Sequence, residues 1–176
     1  MSLLVLAYPE LSNNDYERIQ EFRSANDKLN YHLVTPHWTV VFPLPEDWNK
    51  EGLITETVKQ IEGIEPFEFS IRCATLNKDA FKDIYHAFLV PDEGYSDIVK
   101  LHDKLYEDAL FPYRALHVDY IPHIGIGNSA DPLKCLGMVE HWNKEEFVIE
   151  GRVTMLDVAK FENDEVQTIQ RVPLSG

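Results

Sequence analysis

The sequence predicts an α+β fold of two interlocked lobes, and three observations carry that prediction. Pro36-His37-Trp38-Thr39-Val40-Val41-Phe42 and Ile121-Pro122-His123-Ile124-Gly125-Ile126-Gly127 are two copies of one pattern, a histidine set directly after proline within an apolar run. The copies stand almost half of the 176-residue chain apart. Around each, the order helix, histidine strand, helix, hairpin recurs, which an isolated strand histidine does not bring with it. We read residues 1–176 as one two-lobed domain with an internal repeat, about 1–91 and 92–176.

The elements follow in order. The apolar run over 3–8 opens the chain as a strand. Residues 11–25 read as a helix, capped by Ser12 or Asn13, with Tyr16, Ile19 and Phe22 three apart. The first histidine strand comes next, and β-branched and aromatic residues after a fixed proline favour extended chain there. In extended chain residues i and i+2 share a face, so His37 and Thr39 point one way while Trp38 and Val40 point to the core. Leu53, Ile54, Val58 and Ile61 predict a helix over 51–62 that stops at Gly63. Phe67, Phe69, Ile71 and Cys73 alternate with polar or small residues, predicting a half-buried strand, and 82–90 form another that Pro91 closes.

The second half begins with a helix over 95–109 whose apolar face carries Ile98, Val99, Leu101, Leu105 and Tyr106. In the second histidine strand His123 shares its face with Gly125, and Ile124 and Ile126 face inward. Asp131 or Ser129 opens a helix bearing Leu133, Leu136, Val139 and Trp142. Two long strands then meet at the turn Glu162-Asn163-Asp164-Glu165.

Composition narrows the function. With 44% hydrophobic residues the chain can bury a real core. Thirty acidic against 16 basic residues give a net charge of −14, which opposes extended nucleic acid, because that affinity comes from neutralising phosphates. A small anion or an RNA end remains compatible. The opening apolar run is too short for a membrane span or signal core, so no membrane partner and a cytoplasmic location are expected. Cys73 and Cys135 lack a CxxC partner; no zinc site or disulfide is read, and both are expected to be buried, reduced thiols. Nothing in the sequence sets the oligomeric state.

If the halves are related by a pseudo-twofold axis, His37 and His123 face each other across a cleft. Imidazole titrates near neutrality, so one ring can accept a proton while the other donates one, the pairing that phosphodiester cleavage requires. The Thr39 hydroxyl, on the face of His37, can donate to a nonbridging phosphate oxygen. This chemistry calls for no metal and no cofactor.

Pro36-His37-Trp38-Thr39-Val40 and Pro122-His123-Ile124-Gly125-Ile126 resemble the paired H-x-T/S motifs of the two-histidine phosphoesterases, the 2'-5' RNA ligase and 2',3'-cyclic phosphodiesterase superfamily. The resemblance spans nearly the whole chain. It implies a bilobal fold, two antiparallel sheets lining a central cleft with helices outside, and hydrolysis of 2',3'-cyclic or 2'-5' phosphodiesters of nucleotides or short RNA ends. It also implies that His123 activates water and His37 protonates the leaving oxygen, with RNA ligation as the reverse reaction. Gly125 departs from the pattern, since the family has threonine or serine there. One phosphate-binding hydroxyl is missing, so a weakened enzyme and a nucleotide-binding module of the same fold both remain open.

Further substrate-binding candidates are Tyr85, His86 and Phe88, on a strand expected to border the cleft, whose facing parity the sequence leaves open. Arg114, in the loop before the second motif, is a candidate for phosphate or nucleotide. Arg72 and Arg152 alternate opposite to their apolar neighbours and are expected to meet solvent.

Overall fold

The computed structural model describes all residues, Met1–Gly176. The first half contains strands β1 (Ser2–Ala7) and β2 (Glu10–Leu11), helix α1 (Asn13–Asn26), β3 (Trp38–Val41), α2 (Lys50–Gln60), and the hairpin of β4 (Phe67–Lys78) and β5 (Tyr85–Glu93). The second contains α3 (Tyr95–Leu105), a 3-10 segment (Asp108–Tyr113), β6 (Ile124–Ser129), α4 (Pro132–Asn143), β7 (Ile149–Val153), and the hairpin of β8 (Met155–Glu162) and β9 (Glu165–Pro173). No helix is long and apolar enough to cross a membrane.

Local chemistry accounts for the helix ends. The Ser12 hydroxyl accepts from the Asp15 amide at 3.1 Å, and the Asn49 side chain accepts from the Gly52 amide at 2.7 Å, each occupying an otherwise orphaned donor of a first turn. Asp131 caps α4, with Pro132 at its first position. Gly94, at φ +77°, turns the chain from β5 into α3; a Cβ there would stand 2.6 Å from the Glu68 carbonyl oxygen, so only glycine fits.

All strand pairs are antiparallel, in two sheets ordered β3-β1-β8-β9 and β2-β7-β4-β5-β6. The hairpins are exchanged between halves. The strand that follows His37 shares its sheet with the β8–β9 hairpin of the second half, and the strand that follows His123 pairs with β5 of the first-half hairpin. The helices cross over too: α1 packs on β6 and α3 on β3. Trp38, Val40, Ile124 and Ile126 are buried as their alternation predicts, and Trp38 meets Phe69 of the other sheet edge to face, with centroids 5.1 Å apart.

Four local expectations are corrected. Cys73 is exposed, not buried; Cys135 is buried. The cause is a bulge in β4: Ile71 opposes Pro91 while Cys73 opposes Val90, so one extra residue reverses the alternation and Ala74 takes the inward position. Pro91 does not close β5, which begins at Tyr85 and runs on to Glu93. The pairing with β6 ends at Leu89, so the missing N–H of Pro91 costs no bond on that side. Helix α3 stops at Leu105 and gives way to the 3-10 segment, with Asp108 at φ +49°. Finally, a separate strand, β7, lies in the sheet opposite to β8, and the chain changes sheets at Thr154.

Candidate active site

The two sheets flank a cleft of about 850 Å³ whose lining includes His37, Thr39, His123 and Gly125. Each histidine sits one residue ahead of its strand, and each is held by the same bond. His37 Nδ1–H donates to the Thr35 carbonyl at 2.8 Å, and His123 Nδ1–H donates to the Ile121 carbonyl at 2.6 Å. A carbonyl oxygen only accepts, so the proton of each neutral ring is on Nδ1 and the lone pair of Nε2 is left free. Because the carbonyl lies two residues upstream in both cases, the proline between carbonyl and histidine fixes the geometry.

Both rings are half-buried, and dehydration dominates their acidity. Burial pushes His37 down to about 4, assisted by the Arg23 charge and opposed by the bond to Thr35 and by Asp27. Burial likewise pushes His123 down to about 4, with positive charge on His37 or His86 acting in the same direction. At neutral pH the free protein therefore presents two uncharged imidazoles, and any anion bound between them favours the imidazolium form of one.

A ladder of rings supports His123. Phe88 stacks on it with centroids 3.6 Å apart and planes 16° apart, and His86 stacks on Phe88 at 5.3 Å and 19°. His86 Nε2 is in turn 2.8 Å from Asp79 Oδ2 at the tip of the β4–β5 hairpin, whose other oxygen accepts from the amides of Phe81 and Lys82. On the opposite wall Tyr8 meets His37 edge to face at 6.1 Å. The Thr39 carbonyl accepts from the Tyr120 hydroxyl at 3.1 Å, and Thr39 itself lines the cleft.

Gly125 lies directly opposite Phe88 in the β5–β6 ladder. A Cβ built on it meets nothing within 4 Å, in contrast to Gly127, where a Cβ would come 2.5 Å from Met138 Sδ. Crowding therefore does not account for the missing side chain at Gly125.

The structure brings together His37, Thr39, His123, Gly125, His86 and Phe88, and leaves two candidates out. Tyr85 alternates with His86 and does not line the cleft; its carbonyl accepts from Cys135 Sγ at 3.2 Å, beneath α4. Arg114 is absent from the lining because Asp103 of α3 captures its guanidinium. Arg72 meets solvent as predicted, in ion pairs with Asp92 and Glu93, and Arg152 is exposed. Sequence reasoning missed Tyr120, Asp79, Arg23 and Asp27. The Arg23-x-x-x-Asp27 spacing was the one available signal, since residues four apart share a helix face.

The lining mixes Arg23, Lys78 and Lys82 with Asp27, Asp79, Asp119 and Asp164. Arg23 is paired with Asp27, and Lys78 with Asp83 at 3.1 Å. No run of free cations follows the cleft, which suits a small monoanion better than a polyanion.

A family model described as the 2'-5' RNA ligase superfamily matches residues 10–165. Solved structures share the fold over almost the whole length. TT0787 of Thermus thermophilus superposes with a TM-score of 0.63 at 10% identity, covering 99% of this chain and 98% of that one. E. coli LigT in its apo form gives 0.56 at 15% identity with the same coverage, 99% and 98%. E. coli LigT complexed with 3'-AMP gives 0.58 at 14% identity, again covering 99% and 98%. No curated protein sequence matches the chain significantly.

Proposed function

Because this chain belongs to the 2'-5' RNA ligase superfamily, we propose that it is a metal-independent, cofactor-free phosphodiesterase that hydrolyses 2',3'-cyclic or 2'-5' phosphodiesters of nucleotides or short RNA ends. One observation carries the reading: two histidines in the same Nδ1–H tautomer, each with a free Nε2, stand in one cleft beside the Thr39 hydroxyl. His123, neutral, takes a proton from water through Nε2 as the water oxygen attacks phosphorus. His37, protonated once the anion is bound, donates from Nε2 to the leaving ester oxygen as the P–O bond breaks. Thr39 donates to a nonbridging oxygen, where negative charge grows. A cyclic substrate yields a phosphomonoester and a free ribose hydroxyl, and ligation is the same acid–base chemistry with the ribose hydroxyl of a second RNA end attacking the cyclic phosphate in place of water.

The whole chain acts as one two-lobed domain, because each half-site depends on strands from both halves. His86 presents the polar end of the cleft to a ribose or base. Phe88 is assigned to holding His123, since that ring already covers it. The mixed lining charge favours a small nucleotide or an RNA end over extended nucleic acid, in a cytoplasmic protein.

The test is hydrolysis of nucleoside 2',3'-cyclic phosphates and of a short RNA ending in one, without added metal. The wild type turns over, and His37→Ala and His123→Ala each lose about a hundred- to ten-thousandfold. A wild type that binds 3'-AMP yet turns over none of these esters sinks the enzyme reading. It would favour the second one, a nucleotide-binding module, for which the absent hydroxyl at Gly125 is the supporting observation.

A further inference from the structure

In the wall of the cleft lies a buried ion pair that the proposed chemistry does not use. Arg23, on α1, is 1% exposed, and Asp27, which caps the same helix, is 2% exposed. Arg23 Nε and Nη2 donate to Asp27 Oδ2 at 3.0 and 2.9 Å. Each partner also reaches away from the pair. Arg23 Nη2 donates to the Val34 carbonyl at 2.8 Å, and Nη1 to Gln20 at 2.7 Å. Asp27 Oδ1 accepts from the Asn30 amide at 3.1 Å and from Asn128 Nδ2 at 2.5 Å.

Two of these four outward bonds lead toward the half-sites. Val34 immediately precedes Thr35, whose carbonyl holds the His37 ring. Asn128 is buried on β6, the strand that His123 leads into. From Val34 through Arg23, Asp27 and Asn128, an unbroken chain of hydrogen bonds therefore links the segment orienting one histidine to the strand carrying the other.

Stability alone gives no reason for charge in this place. Dehydrating two ions offsets most of their attraction, and an apolar pair of equal volume often serves as well. An apolar pair would lack the donor for Val34 and the acceptor for Asn128. A lysine at 23 would lack the planar fork that serves Asp27 and Val34 together.

We infer that Arg23 and Asp27 are positioning residues that fix His37 and His123 relative to each other across the cleft. The inference rests on the reading of those histidines as a cooperating pair, but it is tested separately from turnover.

The variants are Arg23→Lys, Asp27→Asn and Asn128→Ala, with Gln20→Ala as the control that removes only a peripheral partner. Nitrogen-15 spectra of the imidazole rings are followed during titration with inorganic phosphate. In the wild type and in Gln20→Ala, both rings respond along one saturation curve. In the three variants the response of one ring falls at least threefold, and in Arg23→Lys the His37 ring becomes a mixture of tautomers. With a cyclic nucleotide, kcat falls at least tenfold while KM stays within threefold. The double variant Arg23→Lys/Asn128→Ala loses no more than the worse single one, because the bonds act as one unit.

Folded variants with wild-type ring spectra and kcat within twofold overturn the inference, as do losses that multiply in the double variant. Should loss of either charge unfold the protein, Asn128→Ala decides alone, because it leaves the ion pair in place. A wild type that turns over no diester removes the proposed activity, and the phosphate response of the rings still decides the positioning role.

Discussion

Phe88 and His123 lie face to face, with ring centroids 3.6 Å apart and planes inclined by 16°. The phenyl ring shuts water away from one face of the imidazole and limits its rotation. Phe88→Ala removes both effects. The His123 midpoint is expected to rise from about 4 toward the ordinary histidine value of 6.5. Turnover is expected to fall by about a hundredfold, the size of effect produced by a misplacement near 1 Å. Phe88→Leu restores apolar cover without the flat face, so it recovers more of the shift than of the rate. Ring titration by NMR and steady-state kinetics check the two parts.

Gly125→Thr is expected to raise turnover. The site is open, with nothing within 4 Å of a Cβ, and the backbone there needs no left-handed conformation. Losing a donor of this kind costs about a hundred- to a thousandfold in kcat, so restoring one is expected to recover a measurable part of that. The check is kcat on a nucleoside 2',3'-cyclic phosphate. A folded Gly125→Thr protein no faster than wild type shows that the missing hydroxyl does not limit the rate.

The pH profiles of kcat/KM and kcat are expected to separate. Both histidines are pushed down to about 4 in the free protein, so the state with one charged and one neutral ring is most populated on the acid side. The profile of kcat/KM, which reports the free protein, is expected to be bell-shaped with an acidic optimum. A bound phosphodiester anion raises the pKa of the ring that donates, so the kcat optimum lies at higher pH. Coincident optima near neutrality contradict the low histidine values.

Stability carries the same signature. The unfolded chain has ordinary histidines near 6.5, while the folded protein holds these two near 4. Between those values the unfolded state binds more protons, so stability rises with pH across that window and is level above it. Acidification from 6.5 to 4 therefore destabilises the fold through these rings. Replacing both by glutamine removes this share of the slope, as urea denaturation at several pH values would show.

Much of the candidate site was legible in the sequence because it rests on local rules. Proline before each histidine and strict alternation after it placed His37 with Thr39 and His123 with Gly125, and all four line the cleft. What depends on distant partners was not legible. Arg114 is claimed by Asp103 of α3. The β4 bulge turned Cys73 outward without any cue in its own neighbourhood. The parity of Tyr85, His86 and Phe88 was set by which neighbours β5 acquired, and strand order is not written in a strand's own residues. Arg23 and Asp27 carried a helical spacing, but their outward bonds to Val34 and Asn128 exist only in three dimensions.

The exchange of hairpins has a consequence for dissection of the molecule. A fragment of residues 1–94 would carry β1 and β3 with no β8 beside them, and the β4–β5 hairpin with no β6. Its complement would expose the matching edges. Neither piece has a self-sufficient core, yet each is shaped to complete the other. A cut between β5 and α3 leaves both sheets incomplete, because each draws strands from both sides of that cut.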